Sequence, residues 1–234
     1  MDDWQLDELA HAGPEHLDAT YVAGYDMKSA FDPGPDLAVL QEHGLDRTAT
    51  LVDLGAGTGR LTLAAAATCR RVVAVDVSAA MLAALRAGAE RLGLTNLEYV
   101  QAGFVSYEHR GAPVAFVYTR NALHQIPDFW KALALDRIAR MLRPGGILVV
   151  RDLVYDFRPA EAESVFERWF AGAETDPAHG FTREDFVRHI RTEHSTFRWL
   201  FEPMLTTAGF EILDAEFSRR TYARYVCRNM HHEG

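Results

Sequence analysis

The feature that most constrains the fold of this chain is an alternation of short apolar runs with helical stretches between Thr50 and about Leu153. Strand-like runs fall at Thr50–Leu54, Arg71–Asp76, Leu97–Gln101, 114–119 and 146–152, and helix-like runs at 61–68, 79–92 and 129–142. A repeated strand–helix–strand order requires parallel strands joined by right-handed crossovers, with helices on both faces of the sheet. The strands are continuous in apolar residues rather than alternating, as a sheet covered on both faces demands. Arg143-Pro-Gly-Gly146 reads as a helix stop feeding the next strand, since proline cannot extend a helix and glycine accepts the left-handed cap.

Before this core lies an N-terminal arm, with a turn at Asp32-Pro-Gly-Pro35 and a helix expected at 36–43. Beyond it, 160–172 and 183–194 read as helices outside the sheet, and 197–208 as a helix that Pro203 must kink or restart. Runs at 210–217 and 222–228 close the chain as an antiparallel pair at a sheet edge. With 234 residues, the chain suits one α/β domain better than two. Its expected parts are the arm (1–49), the core (50–153), an inserted helical cap (154–208) and the closing strands with a tail (209–234).

A net charge of −9 argues against general nucleic-acid binding, which would need a basic face. Cys69 and Cys227 are too few and too far apart for a disulfide framework or a metal site. The acidic N-terminus reads as no signal peptide, and no apolar run nears the roughly 18–20 residues of a membrane span. These features together lead us to expect a cytoplasmic, non-membrane protein, as a monomer or homodimer. His231-His232 reads as part of a solvated tail.

Asp53 ends the first strand, Gly55-x-Gly57-x-Gly59 turns the chain, and a helix begins near Arg60. Glycines are needed where backbone turns with positive φ or where a ligand sits against the main chain. The first strand–loop–helix of a doubly wound sheet lies beside its ligand crevice. Asp76 ends the second strand, in Val72-Val-Ala-Val-Asp76, where a carboxylate can accept both hydroxyls of a ribose. A dinucleotide fingerprint needs glycine in the place of Arg60, and a phosphate-cradling P-loop needs Gly-Lys-Ser/Thr. Neither is present.

Gly-x-Gly-x-Gly, with Asp53 two residues ahead, instead resembles motif I of class I S-adenosylmethionine-dependent methyltransferases. Ala122-Leu-His-Gln-Ile-Pro-Asp128 and Leu142-Arg-Pro-Gly-Gly-Ile-Leu-Val149 resemble the segments that follow strand four and lead into strand five in that family. The resemblance implies a Rossmann-like, mostly parallel seven-stranded sheet with an antiparallel edge strand. It also implies S-adenosylmethionine as cofactor and S-adenosylhomocysteine as product. By it, Asp53, Gly55, Ala56 and Gly57 lie along the methionine part, Asp76 holds the ribose, and Val77 and Met81 line the adenine pocket or are plain core. The acid often found after strand three is replaced by Ala102-Gly103-Phe104, which leaves main chain or Phe104 for the adenine, and the acid often found before strand four is also missing.

Methyl transfer from a sulfonium requires mainly binding, alignment and exclusion of water, and an acceptor that is already anionic needs no base. Where a base is needed, His124 just past strand four is the candidate catalytic residue; its alternative is a structural place in the wall. Asn121 is a candidate cofactor contact, and Arg120 pairs either an acidic acceptor or a local carboxylate. Asp152 and Tyr155 follow strand five; Asp152 either binds an acceptor or pairs with Arg151. In the arm stand Tyr21, Tyr25, Lys28 and Phe31, with Tyr25 a candidate to reach the cofactor. Trp169, Phe170, His179, Phe181, His194 and Trp199 form either an aromatic lid or core. His189 and His194, five apart on a helix, diverge, so no metal site is expected there. The leading expectation is methyl transfer to a small molecule at an O, N, S or C atom. The alternatives are a protein side chain or tRNA as acceptor, or a non-catalytic binding module. Against RNA stand the charge balance and the absence of an Asn-Pro-Pro-Tyr-type motif after strand four, where Asn121-Ala-Leu-His occurs instead.

Overall fold

The computed structural model describes residues 4–28 and 31–231. Lys28's side chain and His232 fall outside what is described. Strands run in chain order as β1 (Thr50–Leu54), β2 (Arg71–Asp76), β3 (Leu97–Gln101), β4 (Val114–Arg120), β5 (Leu142–Asp152), β6 (Val154–Tyr155), β7 (Thr196–Phe197), β8 (Phe210–Ser218) and β9 (Tyr222–Asn229). Seven of them form one sheet in the order β3-β2-β1-β4-β5-β9-β8, and β6 and β7 pair separately. The pairs from β3 through β5 are parallel, while β9 runs antiparallel to both β5 and β8. This is the doubly wound, mostly parallel sheet that the alternation of runs predicts, with the reversed strand one position in from the edge.

The arm holds α1 (Glu8–His11) and α2 (Ala19–Lys28), followed by α3 (Gly34–Glu42). The core crossovers are α4 (Arg60–Ala66), α5 (Ala79–Arg91) and α6 (Asp128–Met141); α7 (Ala162–Phe170), α8 (Arg183–Thr192) and α9 (Arg198–Thr207) follow β5. Because side chains alternate across a strand, β1 sends Leu51 to one core and Val52 and Leu54 to the other. The first core packs α3 and α4 on the sheet through Leu40, Leu61 and Ala65. The second packs α6 and α9 through Leu135, Ile138, Phe201 and Leu205. Both cysteines are buried free thiols, and no helix among the described residues is long and apolar enough to cross a membrane.

One local feature differs from the sequence reading, and a second narrows it to one of its alternatives. β5 begins at Leu142 rather than 146: Val114 pairs with Leu142 and Phe116 with Ile147, so a register shift absorbs the Pro-Gly-Gly stretch, with Gly145 at φ +72°. Helix α9 neither stops nor restarts at Pro203, which lies inside it. The contacts of Phe201 and Leu205 with the second core hold that helix together across the missing donor.

Candidate active site

The β1–α4 loop is tied to the neighbouring strand by its own backbone. The N–H groups of Gly55 and Ala56 donate to the Val75 carbonyl at 2.8 and 3.0 Å. Gly57 N–H donates to Asp76 Oδ2 and Ser78 N–H to Asp76 Oδ1, each at 2.8 Å. Asp76 therefore braces the loop from behind. Gly57 has φ +55°, and a Cβ placed there would meet no atom within 4 Å, so this stretch of main chain is open to a ligand. Gly59 serves packing instead: at φ +87° its Cβ would come within 2.4 Å of Leu85 Cγ on α5.

The loop lines a cavity of about 590 Å³ with Asp53 beneath it. Tyr21, Tyr25 and Phe31 of the arm join the lining, as do Asn121, His124 and Gln125 after β4. Trp169, Phe181 and Phe186 come from the cap, and Tyr222 from β9. Asp53 is 3% exposed and accepts the Thr62 hydroxyl at 2.5 Å. Burial pushes its carboxyl up to about 7, against the pull of Thr62 and with a push from Asp76.

Val77, Met81, Gly103 and Phe104 are not in the cavity wall. Met81 and Phe104 are buried, and a Cβ on Gly103 would meet the Glu8 carboxylate at 2.4 Å. That carboxylate accepts from Val105 N–H (3.0 Å), Ser106 N–H (2.9 Å) and the Ser106 hydroxyl (2.7 Å). The loop after β3 thus does meet an acid, delivered by the arm. Ser78 Oγ also donates to the His16 carbonyl at 2.7 Å, so the arm crosses both β2 and β3 ends.

Residues 51–146 match the methyltransferase domain family. A trans-aconitate 2-methyltransferase of Azoarcus sp. is 37% identical over 109 residues, covering 46% of this chain and 40% of that protein. One from Deinococcus radiodurans is 33% identical over 172 residues, covering 71% of this chain and 57% of that protein. The match therefore spans only part of each relative's length. Among solved structures, a chain of the Haloferax volcanii complex between the Trm112 methyltransferase activator and a methyltransferase aligns with TM-score 0.68 at 18% identity. It covers 93% of this chain and 98% of that one, and at such identity it speaks to the fold alone. The family match coincides with the glycine loop, Asp76 and strand order described above. This chain carries a class I S-adenosylmethionine-dependent methyltransferase domain.

In the methyltransferase domain, the segment after β4 is held by a buried acid. Asp152, 2% exposed, accepts from Leu123 N–H at 2.8 Å and Leu153 N–H at 2.7 Å. It also accepts at 2.5 Å from His124 Nδ1. The other ring nitrogen of His124 faces Glu193 at 3.0 Å and the Gln125 amide at 3.0 Å. Burial by itself depresses the pKa of His124, but Asp152 and Glu193 outweigh it and carry the ring to about 9. Asn121 sits at φ +47°, a left-handed turn that asparagine tolerates, with its N–H on the Arg151 carbonyl at 2.8 Å.

Arg120 and Arg151 line the cavity, and both are held by Asp36 at 2.8 Å. Asp36 is 1% exposed and also accepts the Tyr118 hydroxyl at 2.6 Å. Of the two sequence readings for Arg120, the local carboxylate is therefore present. We expect Asp36→Ala to cost about 3–5 kcal/mol in denaturant unfolding, because it leaves two partly buried guanidinium groups and a buried hydroxyl without their acceptor. A loss under about 1 kcal/mol would contradict this account of the network.

The sequence reading missed Glu8, Asp36, Glu193, Arg188 and Arg219, all of which touch or brace this region. Two pairings had a local signal, Arg188 with Asp185 at three apart and His189 with Glu193. His189 and Glu193 are four apart on one helix face, and Glu193 bonds His189 Nδ1. His194 lies beyond the end of α8 and packs on His11. Trp169 and Phe181 reach the cavity, whereas Trp199 and His179 are exposed.

Proposed function

We propose that the domain transfers a methyl group from S-adenosylmethionine to a carboxylate of a small-molecule acid, leaving S-adenosylhomocysteine. The observation that carries this reading is the charge of the cavity. Five arginines, Arg60, Arg120, Arg151, Arg188 and Arg219, line it, against the lining acids Asp53, Asp185 and Glu193, with Asp36 behind Arg120 and Arg151 and Asp185 paired to Arg188, so the arginines still outnumber the acids by one. Burial moreover raises the Asp53 pKa, which lessens the negative charge it sets against the arginines. Cation concentrated in one cavity of a chain with net charge −9 produces a local field that draws an anionic ligand inward. Two of the relatives are named for trans-aconitate, a polycarboxylic acid.

The residues suit the cofactor. Open main chain at Gly57 and a braced carboxylate at Asp76 are the features that a methionine chain and a ribose require. In this reading Asp53, Gly55, Ala56 and Gly57 hold the methionine portion, with Asn121 and Tyr25 beside it. Asp76 takes the ribose hydroxyls, and Val77, Met81, Gly103 and Phe104, which like Asp76 lie outside the cavity wall and beside the arm, frame the adenine once the arm moves off them. The chemistry supplied by bound S-adenosylmethionine is an electrophilic methyl carbon on a sulfonium. A carboxylate is already an anion, so no side chain has to accept a proton. The arginines orient the acid, and Trp169, Phe181 and Phe186 exclude water.

His124 then serves as part of the acceptor wall, with both ring nitrogens engaged. We expect His124→Gln to leave S-adenosylhomocysteine affinity unchanged in calorimetry; loss of binding would place His124 in the cofactor site instead. The acceptor class is tested by incubating the chain with isotopically methyl-labelled S-adenosylmethionine and a panel of polycarboxylic acids, amines and phenols. Label in a base-labile methyl ester is the expected outcome. Label confined to amines or phenols would overturn the carboxylate reading.

A further inference from the structure

The cavity contains a cluster whose chemistry methyl transfer to a carboxylate does not use. His124, His189 and Glu193 each offer one ligand atom, these atoms all lie within 4.8 Å of one another, and the three residues line the same cavity. His124 Nε2 stands 3.0 Å from Glu193 Oε2, and the same oxygen is bonded to His189 Nδ1. The two imidazole centroids are 5.1 Å apart. Both histidines are buried, and Glu193, at the end of α8, is half-buried.

The nitrogens that face away from this point are already bound. His124 Nδ1 is on Asp152 at 2.5 Å, and His189 Nε2 is on the Ser195 hydroxyl at 2.8 Å. Asp152 also takes backbone N–H groups from Leu123 and Leu153, so it meets His124 as an acceptor and fixes the proton on Nδ1. The lone pair of a neutral His124 then points at Glu193 and His189. Three electron-pair donors facing one another require positive charge among them, either as protons or as one cation. A carboxylate behind the histidine is the support that ligating imidazoles use.

We infer that His124, His189 and Glu193 form a binding site for one divalent transition-metal ion of the Zn²⁺ class. Two imidazoles and a carboxylate are borderline donors that suit Zn²⁺ or Co²⁺ better than the all-oxygen shells of Mg²⁺ and Ca²⁺. Donors about 2.0–2.2 Å from a shared ion at tetrahedral to right angles stand roughly 3 Å apart, the separation of His124 Nε2 from Glu193. The wider span of the trio, up to 4.8 Å, must draw in for all three donors to reach one ion. Three protein ligands leave a coordination position for a cavity oxygen or water, with the Gln125 amide alongside. That this position receives the acceptor's carboxylate rests on the methyl-transfer reading above; the ion site itself does not.

The test uses the full chain, stripped of metal by a chelator and dialysed, then titrated with Zn²⁺ in a calorimeter and with Co²⁺ followed by visible absorption. We expect one ion per chain. Glu193→Gln and His189→Gln should each weaken Zn²⁺ by roughly 100-fold, and Ser195→Ala by about 10-fold. Alanine at His231 and His232 together should change nothing, which separates the site from the histidine tail. Glu193 is only half-buried, so Glu193→Gln should keep the wild-type circular dichroism and carry the test even if His189→Gln misfolds. S-adenosylhomocysteine titrations of the same proteins should be unchanged, which distinguishes failure of the metal site from failure of the cofactor reading. Absence of one-to-one binding, or binding that survives Glu193→Gln, would overturn the inference.

Discussion

Asp76→Ala is expected to weaken S-adenosylmethionine and S-adenosylhomocysteine binding by roughly 100-fold or more in calorimetric titration. Two hydrogen bonds from ribose hydroxyls to a carboxylate contribute about 1.5–3 kcal/mol each, and about 1.4 kcal/mol is tenfold in affinity. The substitution also removes the acceptor that holds Gly57 N–H and Ser78 N–H, so the open loop loses its brace as well. A pH dependence follows. Burial raises the Asp76 pKa above the usual aspartate range, although the two N–H bonds and nearby His16 pull it back. Cofactor binding needs the carboxylate, which exists above that pKa. Affinity should therefore fade on acidification at a higher pH than for an unperturbed aspartate, and Asp76→Asn should abolish that dependence. An Asp76→Ala protein that binds as wild type would remove the ribose role.

Asp152→Ala is expected to destabilise the domain as strongly as Asp36→Ala, by about 3–5 kcal/mol in urea or guanidinium unfolding. It strands the buried Leu123 and Leu153 N–H groups and the His124 ring without their acceptor, and each orphaned buried donor costs about 1–3 kcal/mol. Asp152→Asn should cost less, since its carbonyl still serves the backbone while its amide faces the His124 N–H. Equal losses for the two variants would mean that side-chain shape, not hydrogen bonding, sets the effect.

The glycine loop and the parallel sheet were legible because both are written locally. Continuous apolar runs mark strands covered on two faces, and the 55–59 glycines sit in one stretch of chain. Asp76 could be paired with that loop because sheet order brings the ends of β1 and β2 together. The start of β5 was not legible, since a bulge lets Pro144 and two glycines sit inside a strand. Nor were β6 and β7, whose two-residue lengths carry no period. The cationic wall and the His124–His189–Glu193 cluster depend on α8 folding back over the β4 end, where the His194 N–H meets the His124 carbonyl at 2.8 Å. Asp36 likewise draws partners from both β4 and β5. Pattern along the chain holds no record of such crossings. The segment that opens on Asp53 therefore announces the donor, while the acceptor side emerges only from tertiary packing.

The measurement that bears most directly on this account is a competition titration of the full chain with S-adenosylhomocysteine, S-adenosylmethionine and NADH. The account requires one sulfur nucleoside per chain, mutually exclusive between the two forms, with NADH unable to displace either. Binding of NADH with neither sulfur nucleoside bound would contradict it.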